Sequence, residues 1–313
     1  MNKLNNKALI IILLSLTGLF ALSKIFRSPR LESNLRKNLL TLDTASITAL
    51  NILPANAHNQ PIRITREANQ WVAEKDGKKF SADAATIKGA LGTLQKIEPD
   101  REISRKKDKW NSYNVGDQST LVSVYYGNRK QADLHIGKSG YSQGAGSMYG
   151  GNAYTYVRLN DEEAVYAVTG YFESMFNQPI NHWRDRTFLR IPRNLINAIS
   201  FRYPADSSFT LQKQDTVWLV DGVPAEKKSV ELYLGNLSFK NLTAFADEFV
   251  PVTPADVVIT IKGASSTLAV IEGWKRESDW VLRGPAQQAT FFSSSGSSVE
   301  KDLLAGKHRF VKR

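Results

Sequence analysis

The sequence predicts an α+β protein: an N-terminal transmembrane helix followed by two tandem repeats of antiparallel sheet with packed helices. Three observations carry this. One long apolar run lies near the amino terminus, strand-like alternation with hairpin turn signals fills most of the remaining chain, and the same succession of strands, turn and helix occurs twice. A length of 313 residues with 42% hydrophobic content is enough to build two buried cores.

The apolar run covers residues 8–26, ALIIILLSLTGLFALSKIF, and is polar only at Ser15, Thr17, Ser23 and Lys24. At about 1.5 Å per residue it reaches roughly 28 Å, close to the thickness of a hydrocarbon core. Lys24, near its end, can snorkel to the headgroups. Ala21-Leu22-Ser23 also offers the small residues of a signal-peptidase site, but the apolar run continues through Ile25 and Phe26, which favours an uncleaved anchor. The expected organisation is an anchor with basic flanks at 1–30, a juxtamembrane linker at 31–45, a first repeat at 46–190 and a second at 191–313.

Charge follows the same division. The formal balance is +11, from 41 basic and 30 acidic residues. Lys3, Lys7, Lys24, Arg27, Arg30, Arg36 and Lys37 face only Glu32 around the apolar run, a placement that suits anionic membrane lipids. No nucleic-acid-binding signature accompanies the charge, so nucleic acid is not an expected partner. More of these cations follow the span than precede it, and on the positive-inside rule the body would be cytoplasmic. There is no cysteine, which removes disulfides, thiolate metal sites and thiol nucleophiles together.

In the first repeat, Ser46–Leu53 and Ile62–Arg66 alternate as half-buried strands, and QWVAEKDG ends on the hairpin signal Asp76-Gly77. A helix follows from about Asp83, capped by Ser81 or Asp83, with Ile87, Ala90, Leu91 and Leu94 on one face. In the second, Ala198–Tyr203 and Phe209–Lys213 lead to VWLVDG, ending at Asp221-Gly222, and then to a helix carrying Val230, Leu234 and Leu237. Trp71 recurs as Trp218, 147 positions on (218 minus 71), and LGTL at Leu91 recurs as LGNL at Leu234, 143 on. The hairpins beyond these helices align at 136, pairing Gly127 with Gly263 and Gly137 with Gly273. After them Val157 matches Val281 at 124, so the first copy carries 12 extra residues (136 minus 124).

Those residues fall in GYSQGAGSMYGGNAY, Gly140 to Tyr154, which contains the G-x-S-x-G pattern at Gly140, Ser142 and Gly144. A nucleophile elbow needs a strand, a tight turn at the serine and then a helix. Here more glycines and the strand-like AYTYVRL come next, so a serine hydrolase built on Ser142 is disfavoured and the run is expected to be the tip of a lengthened hairpin. No catalytic residue is assigned. Tyr141, Tyr149, Tyr154 and Tyr156 remain a candidate ligand or partner loop, able to stack on a sugar ring, against the plainer reading of Tyr154 and Tyr156 as alternating strand residues.

His58, His135, His182 and His308 lack metal-ligand spacing, so no metal or cofactor is expected; His182 and His308 sit at matching points of the two copies. Trp71 and Trp218 are expected in the cores. Between the repeats, NHWRDRTFLRI places Trp183, Arg184, Asp185 and Arg186 together, either as an interface patch or, preferably for an inter-repeat linker, as an ion-pair knot.

The order LDTASITAL, QWVAEKDG, LHIGKSG, TYVRL, VYAVTGYFESMF and HWRDRTFLRI resembles a bacterial family, domain of unknown function 4340, particularly its Bacteroidetes-type members. The resemblance covers nearly everything after the apolar run. It implies a single-pass protein of the inner (cytoplasmic) membrane with an extracytoplasmic, periplasmic body, a non-enzymatic accessory of an ABC-type transport or gliding-motility-like complex. This opposes the orientation given by the flanking cations. A glycan- or peptidoglycan-binding module displayed from the membrane is the alternative.

Overall fold

The computed structural model describes residues 35–56, 60–143 and 151–311, together with Leu13 and Ser15–Thr17, with Ser142 and Gln143 described by backbone only. The expected membrane segment therefore lies almost wholly outside the described residues. Among the described residues no helix is long and apolar enough to cross a membrane.

In the first copy the elements are β1 (Leu40–Thr41), β2 (Ala49–Leu53), β3 (Ile62–Glu67), β4 (Gln70–Lys75), β5 (Lys78–Ser81), α1 (Ala84–Gln95), β6 (Lys96–Ile97), β7 (Pro99–Ser104), α2 (Trp110–Tyr113), β8 (Thr120–Tyr126), β9 (Arg129–Gln143), β10 (Gly151–Leu159), β11 (Val165–Thr169), α3 (Phe172–Phe176) and α4 (Ile180–Trp183). The second copy runs β12 (Thr187–Arg190), β13 (Ala198–Arg202), β14 (Phe209–Gln214), β15 (Val217–Val220), β16 (Val223–Pro224), α5 (Lys227–Ser238), β17 (Phe239–Asn241), β18 (Val257–Lys262), β19 (Thr267–Lys275), β20 (Trp280–Arg283), β21 (Phe291–Ser293) and α6 (Val299–Leu303). The two large sheets have strand orders β5-β4-β3-β2-β8-β9-β10-β11-β7 and β16-β15-β14-β13-β18-β19-β20-β21. Without β7 they are the same order, and each copy adds a two-stranded sheet, β1 with β6 and β12 with β17. The place of β7 is held in the second copy by one isolated bridge, Phe245 to Phe292.

Local chemistry explains the repeated elements. Asp76 and Gly77 have φ of 51° and 75°, and Asp221 and Gly222 have 45° and 83°, the left-handed pair that a two-residue hairpin needs. Both long helices bury a four-residue stripe, Ile87, Ala90, Leu91 and Leu94 in α1, and Val230, Tyr233, Leu234 and Leu237 in α5. Every member recurs 143 positions on (230 minus 87, 233 minus 90), so the period-3.6 face is kept while Ala is exchanged for Tyr. At the start of α5 the Glu226 carboxylate accepts from the backbone N–H of Lys228 and Ser229 at 3.1 and 2.5 Å.

The strand register corrects the alignment of the hairpins. Val122 pairs with Leu134 and Val124 with Ala132, while Ile259 pairs with Ile271 and Ile261 with Ala269. The equivalence is therefore 137 (259 minus 122), one more than the glycines suggest. A one-residue slip moves every side chain to the opposite face, and here burial rather than glycine identity fixes the match. Val157 opposite Ile136 correspondingly answers to Leu282 opposite Gly273, at 125, so the excess of 12 (137 minus 125) stands.

The chain divides into two compact units, Met1–Lys79 with Ala85–Pro179, and Phe80–Ala84 with Ile180–Arg313. The boundary expected at 190/191 thus falls earlier. β12 pairs with β17, and Ile191 N–H donates to Ser238 O, so this stretch belongs with the second unit. The expected linker is also partly structured, since Leu39 and Leu42 are buried and β1 pairs with β6. The first unit's core is built on Leu50, Ile52, Ile64, Val122, Leu134 and Val157; the second unit's is centred on Phe201, Tyr233, Ile259, Phe292 and Phe310.

Candidate functional site

In β10, Ala153, Thr155 and Val157 turn into the first unit's core, so Tyr154, Tyr156 and Arg158 occupy the opposite face of the sheet. That face is layered with aromatics. Tyr113 packs on Tyr156 at 4.8 Å between ring centroids, Tyr156 meets Tyr154 edge-on at 5.3 Å, and the Arg101 guanidinium lies 5.5 Å from the Tyr154 ring. Burial, followed by the neighbouring Tyr154 hydroxyl, pushes the Tyr156 phenol up to about 12. Tyr154 crosses Gly140 on the adjacent strand, and a Cβ there would come within 2.7 Å of the Tyr154 hydroxyl, so a larger residue at 140 would displace the Tyr154 ring. Tyr141 is different. It is 71% exposed and meets the exposed Tyr171 edge-on at 6.2 Å, the two hydroxyls 3.3 Å apart. The four expected loop tyrosines therefore separate: Tyr154 and Tyr156 are packed strand residues, Tyr141 is presented to solvent, and Tyr149 lies outside the described residues.

Ser142 is part of β9, its backbone paired with Asn152 of β10. Ser142 is extended and Gln143 after it still pairs, with Gly151, so the tight turn that a nucleophile elbow places at the serine is not found at this position.

Next to this face the first unit holds a polar cleft of about 230 Å³, lined by Asn111, Asn114, Gln118, Ser119, Glu173 and Asn177 among others. Segment 110–119 reaches it by crossing β9 at Gly137, where a Cβ would collide with the Tyr113 carbonyl. Glu173 is held by the Ser139 backbone N–H at 2.8 Å, and Asn177 Oδ1 is buried with no hydrogen-bond partner. Among the described residues no cation lines the cleft. Amides and one carboxylate supply both donors and acceptors, which suits a neutral ligand rich in hydroxyl or amide groups.

Behind the cleft, Asn160 Oδ1 accepts from His135 Nε2 at 3.0 Å, which leaves Nδ1 free to accept from the Ser119 hydroxyl at 2.7 Å. Burial lowers the His135 pKa and the hydrogen bond to Asn160 partly opposes it, with Arg158 a further lowering influence. Arg158 is the cross-strand neighbour of His135 and sits 3.8 Å from the Trp110 ring, donating to Val115 O and Leu159 O. At the matching positions of the second copy, Glu272 faces Arg283 and pairs with it. In the first copy the acid is replaced by a neutral imidazole, so a proton on His135 would stand beside a buried guanidinium. The geometry is that of a hydrogen-bonded strut supporting Ser119.

The WRDR stretch is an ion-pair knot whose acid lies far along the chain. Arg184 reaches Asp247 through two bonds of 2.6 and 2.8 Å, takes a third to Asn181 Oδ1, and lies 3.8 Å from the Phe80 ring and 3.5 Å from that of Phe245. Trp183 and Arg184 are buried, so they form no exposed partner patch. Asp185 instead accepts from the Thr187 N–H at 2.9 Å, and the Arg186 carbonyl accepts from Leu242 N–H. Asp83 N–H donates to Trp183 O and Glu226 N–H to Phe310 O, the same bond in each copy, which makes Arg309 rather than His308 the counterpart of His182. His58 lies outside the described residues. Trp71 and Trp218 are half-buried at the core margins rather than within it.

The residues of the cleft were not legible in the sequence. NSYNVGDQS, Asn111 to Ser119, has the composition of an ordinary polar connection, and nothing local relates it to Glu173 and Asn177.

Fold and site together define a tandem-repeat α+β protein whose first copy is elaborated by a full edge strand, a longer hairpin and a polar cleft. The chain belongs to the family described as Domain of unknown function (DUF4340), whose model matches residues 71–256, more than half of it. No curated protein and no solved structure matches the chain.

Proposed function

We propose that this protein is a non-enzymatic accessory subunit of an ABC-type transport or gliding-motility-like complex, anchored by residues 8–26 with its body outside the inner membrane. The observation that carries the reading is the uneven elaboration of a duplicated scaffold. The first copy adds binding surface, the exposed Tyr141–Tyr171 pair beside an amide-lined cleft, while Ser142 lies in a strand ladder. Tyr141 is on β9 and Tyr171 caps α3, and exposed tyrosines held by such elements lose little entropy on contact and are common interface anchors. Recovery of the intact protein from membranes in mild detergent tests this. Native protein carries membrane-complex partners through the purification, and Tyr141→Ala with Tyr171→Ala loses them. Repeated recovery of native protein alone overturns the reading.

The amide-lined cleft favours a second reading, a glycan- or peptidoglycan-binding module, because sugar hydroxyls match its mixture of donors and acceptors. Polysaccharide pull-down distinguishes it: Asn114→Ala and Tyr141→Ala abolish retention, and no retention of the native protein ends it.

A further inference from the structure

The second unit contains a different kind of cleft, about 370 Å³ in volume. Its floor is apolar, formed by the buried Ile196, Ala225 and Leu234, and the half-buried Trp218 indole lines it. Arg193, Lys213 and Lys227 also line it, all exposed. Lys213 is the cross-strand partner of Trp218 on β14 and β15. Lys227 is shared with Glu231 at 3.9 Å, but among the described residues Arg193 and Lys213 have no ion pair.

The duplication separates what the scaffold requires from what this cleft adds. Ile196, Trp218, Ala225 and Leu234 answer to Ile47, Trp71, Ala82 and Leu91 of the first copy, so the apolar floor and the indole are inherited by both. Lys213 answers to Arg66, again opposite its tryptophan. Arg193 and Lys227 answer to Thr44 and Ala84, so two of the cations belong to the second copy alone. Packing does not demand them, since the first copy folds the same elements without them.

We infer that this cleft is a binding site for a small amphipathic carboxylate, an acid with a short aliphatic or aromatic body. The body lies on Ile196, Ala225 and Leu234 against the Trp218 ring, and the carboxylate reaches Arg193 and Lys213. The apolar floor and indole are bordered by polar residues, among them Glu231, whose carboxylate is shared with Lys227 and leaves Arg193 and Lys213 for the ligand; an apolar bed with a few orienting charges, in this range of volume, is what ligand sites of this class use. The site is in the second unit and its outcome is independent of the accessory role proposed above.

The test uses the full chain in lipid nanodiscs, titrated by calorimetry with 4-phenylbutyrate, 4-phenylbutan-1-ol and 4-phenylbutylammonium. The expected result is one site per chain that prefers the carboxylate to the alcohol by about tenfold, the scale of two exposed cations acting together, with the ammonium weakest. Arg193→Gln with Lys213→Gln removes that preference while leaving the alcohol's affinity unchanged. Trp218→Leu, at a half-exposed position, weakens both the carboxylate and the alcohol. Equal binding of all three compounds, unchanged carboxylate affinity in the double variant, or no binding up to about 10 mM overturns the inference.

Discussion

Removing either partner of the Arg184–Asp247 pair is expected to have unequal consequences, because the two charges are unequally buried. The Arg184 side chain is 2% exposed and clamped between Phe80 and Phe245, whereas Asp247 is 32% exposed. Asp247→Ala leaves a cation that cannot turn to water. Stranding a buried charge costs about 3–5 kcal/mol, and the half-open acid side places this case near the lower end, about 3 kcal/mol. Arg184→Met keeps an aliphatic body between the two rings and leaves a carboxylate that can rotate into solvent. Its cost is the charge-assisted bonds and the cation–ring contacts, about 2 kcal/mol together. Arg184→Met with Asp247→Leu should recover part of the loss, because an apolar pair strands no charge. Urea unfolding of the second unit gives the totals, and hydrogen exchange of peptides covering 180–190 and 242–250 localises them. If Arg184→Met proves as costly as Asp247→Ala, the asymmetry argument is wrong; if both cost under about 0.5 kcal/mol, the pair is not structural.

Three further outcomes are expected from the geometry. Tyr233→Phe leaves the Leu303 carbonyl without the 2.8 Å bond it accepts inside the core and should cost about 1–2 kcal/mol, while Tyr233→Ala, although it restores the first copy's residue, should cost about 3–5 kcal/mol for the cavity; equal effects in urea titrations would contradict this. His135 and His182 are both held below the ordinary histidine value, chiefly by burial, so the unfolded chain binds more protons as acid is added. Their stabilising effect is complete above about pH 7 and is lost as pH falls below the unfolded value near 6.5; melting temperatures between pH 7.5 and 5 should decline, less steeply in His135→Gln, and a flat profile would refute the assignment. A fluorophosphonate probe should leave Ser142 unmodified, as read by peptide mass spectrometry, since a serine in the β9–β10 ladder is not activated.

The residues alone determined those parts of the fold that depend on local chemistry. Asp76-Gly77 and Asp221-Gly222 specify their hairpins because the required backbone is left-handed, and the stripes of α1 and α5 specify the helices because their apolar spacing is 3.6. Their repetition exposed the duplication, and the 12-residue excess located the longer hairpin. Tertiary structure decided what depends on partners distant in the chain. Only cross-strand pairing fixed the hairpin equivalence at 137, because a sheet's alternation is settled by burial against neighbours and not by matching glycines. Only folding brought Asp247 to Arg184, 63 positions away (247 minus 184), Glu173 and Asn177 to the 111–119 segment, and three cations to the margin of an inherited apolar floor. Charges and amides have no periodicity that announces a partner, so their pairing is written in the three-dimensional contacts of the sheet and not in their spacing along the chain.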